Sequence, residues 1–203
     1  MENYNPHPQG YRPEWYTPAH IVEFATYVLG GRIELDAASC AEANETVQAT
    51  RYFSVDDDGL GQSWAVGTGN GVWCNPPYGR GNTVYRWWKK MKTEFDAGHF
   101  DMGLFLANSK TETRWFQEAL EICPVLLFRA RLRCRRPANE PVGEGHFGSA
   151  LVLLSRPIDG SYRPYRGFSD LPYNSIEAGG GDDAALARFM VEGRKLGQVV
   201  ISL

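Results

Sequence analysis

Short apolar runs of strand length alternate along this chain with helical patterns, which confines it to a small set of α/β architectures. Thr17-Pro18 reads as an N-cap and a first helical residue. Ile21, Val22, Ala25, Val28 and Leu29 then follow at helical spacing, with Gly30-Gly31 as the stop. Residues 32–36 read as a short strand ending on an acid, and residues 71–74 as a second strand that runs into Asn75-Pro76-Pro77-Tyr78. A helix bearing Trp87, Trp88, Met91 and Phe95 comes next, then a strand over 102–107, a short helix near 111–121, and strands near 125–129 and 150–154. Residues 182–196 are expected to form a last helix and 199–202 a closing strand. This order predicts a mainly parallel sheet with helices on both faces, and places any ligand beyond the carboxyl ends of the strands. Both early strands stop at polar tips, Asp36 and Asn75.

The quartet at 75–78 has unusual physical content. Two consecutive prolines supply no backbone N–H, so the segment leaves the sheet ladder, and the residue before the first proline is held extended. An Asn oxygen beside a proline carbonyl makes a pair of acceptors, and the Tyr ring adds a flat apolar face. That combination fits a planar ring bearing an amino group. Taken alone, the quartet could also be a turn that merely ends a strand.

Composition limits the rest. The 203 residues, 43% hydrophobic and 22% charged, suit one domain and one core spanning 1–203. No apolar run approaches the roughly 18 residues that a membrane helix requires. The first residues lack the basic start and apolar stretch of a secretory signal, so a cytoplasmic location is expected. Cys40, Cys74, Cys123 and Cys134 form no Cys-x-x-Cys pair and read as reduced thiols.

Twenty-one Lys plus Arg against 24 Asp plus Glu gives a net charge of −3, so contact with a polyanion must be local. One local patch stands out. Arg129, Arg131, Arg133 and Arg135 alternate with Ala130, Leu132 and Cys134, a period that puts four guanidinium groups on one strand face, and Arg136 extends it. Such a ribbon neutralises phosphates with salt-dependent affinity; matched by acids, it is an ordinary solvent-facing strand. Residues 156–181 mix Arg and Tyr with Gly and Pro, as do loops that grip bases and phosphates and loops packed by their own aromatics. Residues 137–147 are expected to order on a bound polyanion, and His146 by itself gives no sign of acid–base chemistry. Trp87-Trp88 beside Lys89, Lys90 and Lys92 reads as an amphipathic helix with core-facing tryptophans. Asn108-Ser109-Lys110 reads equally as a turn or as part of a target pocket.

The quartet is similar to the signature of amino methyltransferases that use S-adenosylmethionine, which carry Asp, Asn or Ser before Pro-Pro-Tyr. Around it, Trp15-Tyr16-Thr17-Pro18, Leu35-Asp36-Ala37-Ala38-Ser39, Asn44, Asp57-Asp58-Gly59-Leu60 and Trp64 precede the quartet in one order. Thr113-Arg114-Trp115-Phe116, the Arg-rich segment and residues 148–153 follow it. The succession resembles the phage and prophage DNA N6-adenine methyltransferase family over most of residues 15–155.

That resemblance implies a Rossmann-like fold and S-adenosylmethionine as cofactor. It implies double-stranded DNA as partner, with the target adenine flipped out because its amine is otherwise tied up in base pairing. The catalytic roles fall on Asn75, Pro76, Pro77 and Tyr78: two oxygens accept the amine's hydrogens while the ring stacks on the base. Asn75 also belongs to the implied cofactor wall. Thr17 and Pro18 would stand near the methionine moiety, Asp36 would hold the amino-acid portion or ribose, and Asp58 would meet the adenine amine. Tyr16, Ala37 and Ala38 fall in the same implied segments. The five arginines at 129, 131, 133, 135 and 136 and the loops 130–148 and 156–181 would touch DNA.

Plainer readings stand beside these. Asp36 caps a turn, Thr17 caps a helix, and residues 56–58 form a solvated acidic loop or a hard-cation site. Ala37-Ala38-Ser39 replaces the usual Gly-x-Gly, which disfavours a nicotinamide cofactor. The chemistry requires no metal. Related quartets also serve cytosine-N4, RNA and protein-glutamine methyltransferases, and a catalytically silent DNA-binding module is a rival from another class. A monomer is expected, and shielding of a phage genome from restriction is implied by resemblance alone.

Overall fold

Leu35–Asp36 (β1), Arg51–Tyr52 (β2), Gly71–Cys74 (β3), Met102–Asn108 (β4), Val125–Leu127 (β5) and Ser149–Ser155 (β8) form a six-stranded sheet in the order β2-β1-β3-β4-β8-β5. The structure is a computed structural model describing residues 15–67, 69–79, 82–128, 131–135, 143–144 and 147–156. The pairs β2·β1, β1·β3 and β3·β4 are parallel, whereas β8 runs antiparallel to both β4 and β5. The sheet is mostly parallel, as the strand–helix alternation predicts, and the architecture is a Rossmann-like α/β fold. Arg133–Cys134 (β6) and Gly143–Glu144 (β7) make a separate antiparallel pair.

The period-two alternation of apolar residues builds two cores, one on each sheet face. Trp73, Leu104, Leu106, Leu126, Leu151 and Leu153 pack with Ile21, Val22, Phe24, Ala25 and Val28 of Ala19–Val28 (α1) and with Val47 of Ala41–Val47 (α2). Their sequence neighbours Val72, Cys74, Phe105, Val125 and Val152 pack on the opposite face. There they meet Trp87, Trp88 and Met91 of Thr83–Asp96 (α3) and Trp115, Phe116 and Ala119 of Arg114–Ile122 (α4).

Two expectations change. Thr17 does not cap α1: the helix begins at Ala19, and the cap position falls to Pro18, whose carbonyl accepts from the N–H groups of Ile21 and Val22. Thr17, 4% exposed, is thereby turned inward. The strand expected over 32–36 is regular only at Leu35–Asp36: Ile33 and Glu34 still hydrogen-bond to Thr50, Arg51 and Gly71, whereas the exposed Arg32 lies outside the sheet. The helix and strand expected at 182–196 and 199–202 lie outside the described residues. Neither α2 nor β2 has enough residues to show a sequence period.

After β1 the chain passes through α2 to β2 on one side, then returns to β3 on the other, so β1 and β3 flank a topological switch point. The segment after β2 is pinned over it. Phe53 N–H donates to the Asp36 carbonyl at 3.0 Å, Ser39 N–H to the Phe53 carbonyl at 2.8 Å, and the Trp64 indole to the Gly59 carbonyl at 2.7 Å. Trp64 N–H reaches Glu94 on α3, a carboxylate that also accepts from Lys90 and pairs with His99. Gly59 lies so close to the Ala37 carbonyl that a Cβ could not fit without moving backbone. Gly59→Ala is therefore expected to cost about 1–3 kcal/mol. Thermal unfolding checks this, an unchanged Tm being the contrary result.

Candidate active site

Beyond Cys74 the chain leaves the ladder at the two prolines, and Asn75 stands at the mouth of the switch point. Its carboxamide nitrogen donates to the Trp15 carbonyl at 2.9 Å and to the Thr17 hydroxyl oxygen at 3.2 Å. A backbone carbonyl only accepts, so the nitrogen is the atom that faces residue 15. The oxygen is left on the other side, where Tyr78 donates to it from a long 3.4 Å. Burial pushes the Tyr78 phenol above its ordinary pKa, with Cys134 and Cys74 adding to the effect, so the ring stays a neutral donor. Among the described residues none donates to the Pro76 carbonyl.

Asn75, Pro76, Pro77 and Tyr78 line a cleft of about 430 Å³ together with Tyr16, Thr17, Asp36, Ala38 and Asp58. That volume lies in the range of small-molecule sites. Two of the expected residues do not line it. Pro18 is buried as the cap of α1, and Ala37 sits in the core with its N–H bonded to the Trp73 carbonyl at 2.9 Å.

Five more wall residues had no site role assigned from the sequence: Trp15 and Ser39 flank residues that did, Trp87 read as core, and Cys40 and Phe53 carried no site signal. Trp87 and Trp88 are both buried in the core, as expected of the pair; Trp87 packs on Trp64 and also meets the cleft.

Asp36 is 2% exposed, and burial raises its pKa to about 7 against the partly compensating Ser39 hydroxyl and Ala38 N–H. The Ala38 N–H reaches Asp36 Oδ1 at 3.3 Å, so the turn-capping reading and the cleft position hold together. The Ser39 hydroxyl, although beside this carboxyl, makes no hydrogen bond of normal geometry and is buried. The loop that a dinucleotide would need for its pyrophosphate has its N–H groups occupied: Ala37 on Trp73, Ala38 on Asp36 and Ser39 on Phe53.

Of the acidic triplet, Asp56 and Asp58 line the cleft, whereas Asp57 turns to Ser54. Asp57 accepts from the Ser54 N–H at 2.8 Å and from its hydroxyl at 2.6 Å, and these bonds hold its pKa below the usual range. Among the described residues no group of three or more His, Cys, Asp or Glu side chains is placed to hold a metal ion.

The sequence model of the family described as DNA N-6-adenine-methyltransferase (Dam) matches residues 6–176. The chain belongs to this family. No curated protein and no solved structure matches it. Membership in the Dam family makes DNA adenine methylation its family-level activity, with DNA as substrate.

Within this Dam chain the arginine strand lies beside the cleft. Tyr16 and Arg135 pair through both backbone groups, at 2.9 and 3.1 Å. Leu132 and Cys134 turn inward to the core, and Arg131, Arg133 and Arg135 face out, as the alternation predicts. Arg129, Arg136 and His146, with most of loops 130–148 and 156–181, lie outside the described residues. No helix among the described residues is long and apolar enough to cross a membrane.

Asp36 gives a signed pH prediction. Its pKa is about 7 folded and near 3.8 unfolded, so the folded state binds the extra proton between those values. Its penalty is absent below about pH 4, grows until about pH 7 and is constant above, reaching at most roughly 4 kcal/mol. Asp36→Asn should therefore be more stable than the parent at pH 8 and match it near pH 4. Equal stability at pH 8 in denaturant unfolding contradicts this.

Proposed function

We propose that this protein transfers a methyl group from S-adenosylmethionine to the exocyclic N6 amine of an adenine flipped out of duplex DNA. The observation that carries the proposal is the fixed carboxamide of Asn75, a cleft residue whose nitrogen is held by Trp15 and Thr17 while its oxygen, accepting from the Tyr78 hydroxyl at 3.4 Å, keeps acceptor capacity to spare.

The cleft's chemistry fits the donor. Its described walls bear Asp36, Asp56 and Asp58 and no Lys or Arg, which favours a ligand with a sulfonium and an ammonium and disfavours phosphates. The buried, unpartnered Ser39 hydroxyl offers a further polar group to a ligand's hydroxyl or amine. Asp36, Ala38, Asp58 and Tyr16 would hold the cofactor, with Phe53 and Trp87 as aromatic wall, whereas the Thr17 hydroxyl is turned to Asn75. When bound, S-adenosylmethionine supplies the electrophilic methyl group.

Asn75 Oδ1 and the Pro76 carbonyl would accept the amine's two hydrogens. An aromatic amine is a poor nucleophile because its lone pair is delocalised into the ring; two acceptors on its hydrogens favour a pyramidal nitrogen whose lone pair is aimed at the donor. The Tyr78 ring would stack on the base, while Pro76 and Pro77 keep the corner stiff. The methylated ammonium is acidic enough to lose its proton to water, so no strong base is required. Exposed Arg131, Arg133 and Arg135, joined by Arg129 and Arg136, would contact phosphates beside the site. Protection of a genome against restriction is a role consistent with this chemistry.

Incubation of DNA with methyl-labelled cofactor, followed by digestion to nucleosides, is expected to yield N6-methyladenine; label in N4-methylcytosine, in RNA only or in protein overturns the proposal. Asn75→Ala and Tyr78→Ala should each lower transfer by at least about 100-fold with an unchanged Tm. Replacing both Arg133 and Arg135 by Ala should flatten the dependence of log DNA affinity on log salt by about 1.8, at about 0.9 per phosphate contact. An unaltered slope removes these two from the DNA contact.

A further inference from the structure

The proposed chemistry requires an oxygen of residue 75 to face the target amine, but a carboxamide can present either end to a cleft. Segment 15–17 decides which. The Trp15 carbonyl at 2.9 Å cannot donate, so it takes the nitrogen of Asn75. The Thr17 hydroxyl oxygen at 3.2 Å accepts from the same nitrogen and keeps its own proton for another partner. The segment itself is held on its far side, where both backbone groups of Tyr16 pair with Arg135, and the Tyr16 hydroxyl reaches Glu42 on α2 at 3.3 Å. Thr17 itself is buried.

We infer that Thr17 is a positioning residue that, with the Trp15 carbonyl, locks the Asn75 carboxamide oxygen-inward and makes Asn the required residue at position 75. The inference rests on the function proposed above. Its consequence is specific to this chain. An Asp at 75 would set a carboxylate oxygen against the Trp15 carbonyl oxygen where a donor now stands, and that carboxylate would turn away or recruit a proton. Asp and Asn are therefore not interchangeable here, although both occur before Pro-Pro-Tyr in methyltransferases of this kind. The lock also selects substrate: two inward acceptors require an N–H-bearing group and repel a carbonyl edge, so an adenine amine is accepted and the corresponding keto base is not.

Steady-state kinetics on the full chain test this with Thr17→Val, Thr17→Ser and Asn75→Asp. Thr17→Val keeps the shape and removes the acceptor; kcat should fall roughly tenfold, with KM for DNA and for S-adenosylmethionine within about twofold and an unchanged Tm. Thr17→Ser, which keeps the hydroxyl, should restore kcat to within about twofold of the parent. Asn75→Asp should lose at least about 100-fold in kcat while remaining folded. A Thr17→Val variant with parental kcat, or with a defect confined to KM for S-adenosylmethionine, overturns the inference, as does an Asn75→Asp variant of parental activity. Asn75→Ala separates the two levels. If that variant stays active, the site reading itself fails; if it is inactive while Thr17→Val and Asn75→Asp are parental, only the positioning role fails.

Discussion

The parallel pairing of β1 with β3, which sets Asp36 opposite Trp73, is the constraint on which the site depends. The chain leaves β1 toward β2 and leaves β3 toward β4, in opposite directions across the sheet. The two strand ends therefore overlook a gap that no crossover fills. A buried carboxyl stands on one side of that gap and a rigid carboxamide on the other. The segment after β2, tied down through Phe53, Gly59 and Trp64, closes the third side.

Both polar tips are costly to bury, and each is held differently. Asp36 has one backbone N–H donor and remains poised near neutrality, so a ligand with donors finds a carboxyl ready to ionise. Asn75 is instead saturated on its nitrogen and left with spare acceptor capacity on its oxygen. One tip is adaptable and the other fixed. This suits a site that must bind a cationic donor and also aim an amine.

Much of this was legible in the sequence because it follows from local chemistry. Uninterrupted apolar runs at 102–107 and 150–154 identify strands buried on both faces, and consecutive prolines mark where β3 leaves the sheet. The positions of Asp36 and Asn75 as strand tips follow directly. What remained hidden depends on distant pairing. Thr17 satisfies every local rule for a helix cap, and only the approach of Asn75, 58 residues away, gives its hydroxyl a different partner. Trp87 reads as core from its helical spacing; its contact with the cleft arises because the loop after β2 folds back across α3. That Asp57 is turned away from the cleft, leaving Asp56 and Asp58 on its wall, was set by a single turn in which Ser54 claims Asp57.

The most direct test is a structure of the protein bound to a non-reactive S-adenosylmethionine analogue and a duplex containing its target adenine. The account requires the adenine out of the helix, its ring on Tyr78, and its amine between Asn75 Oδ1 and the Pro76 carbonyl, with the analogue beside Asp36. A target base bound elsewhere, or one met by the nitrogen end of the Asn75 carboxamide, contradicts it.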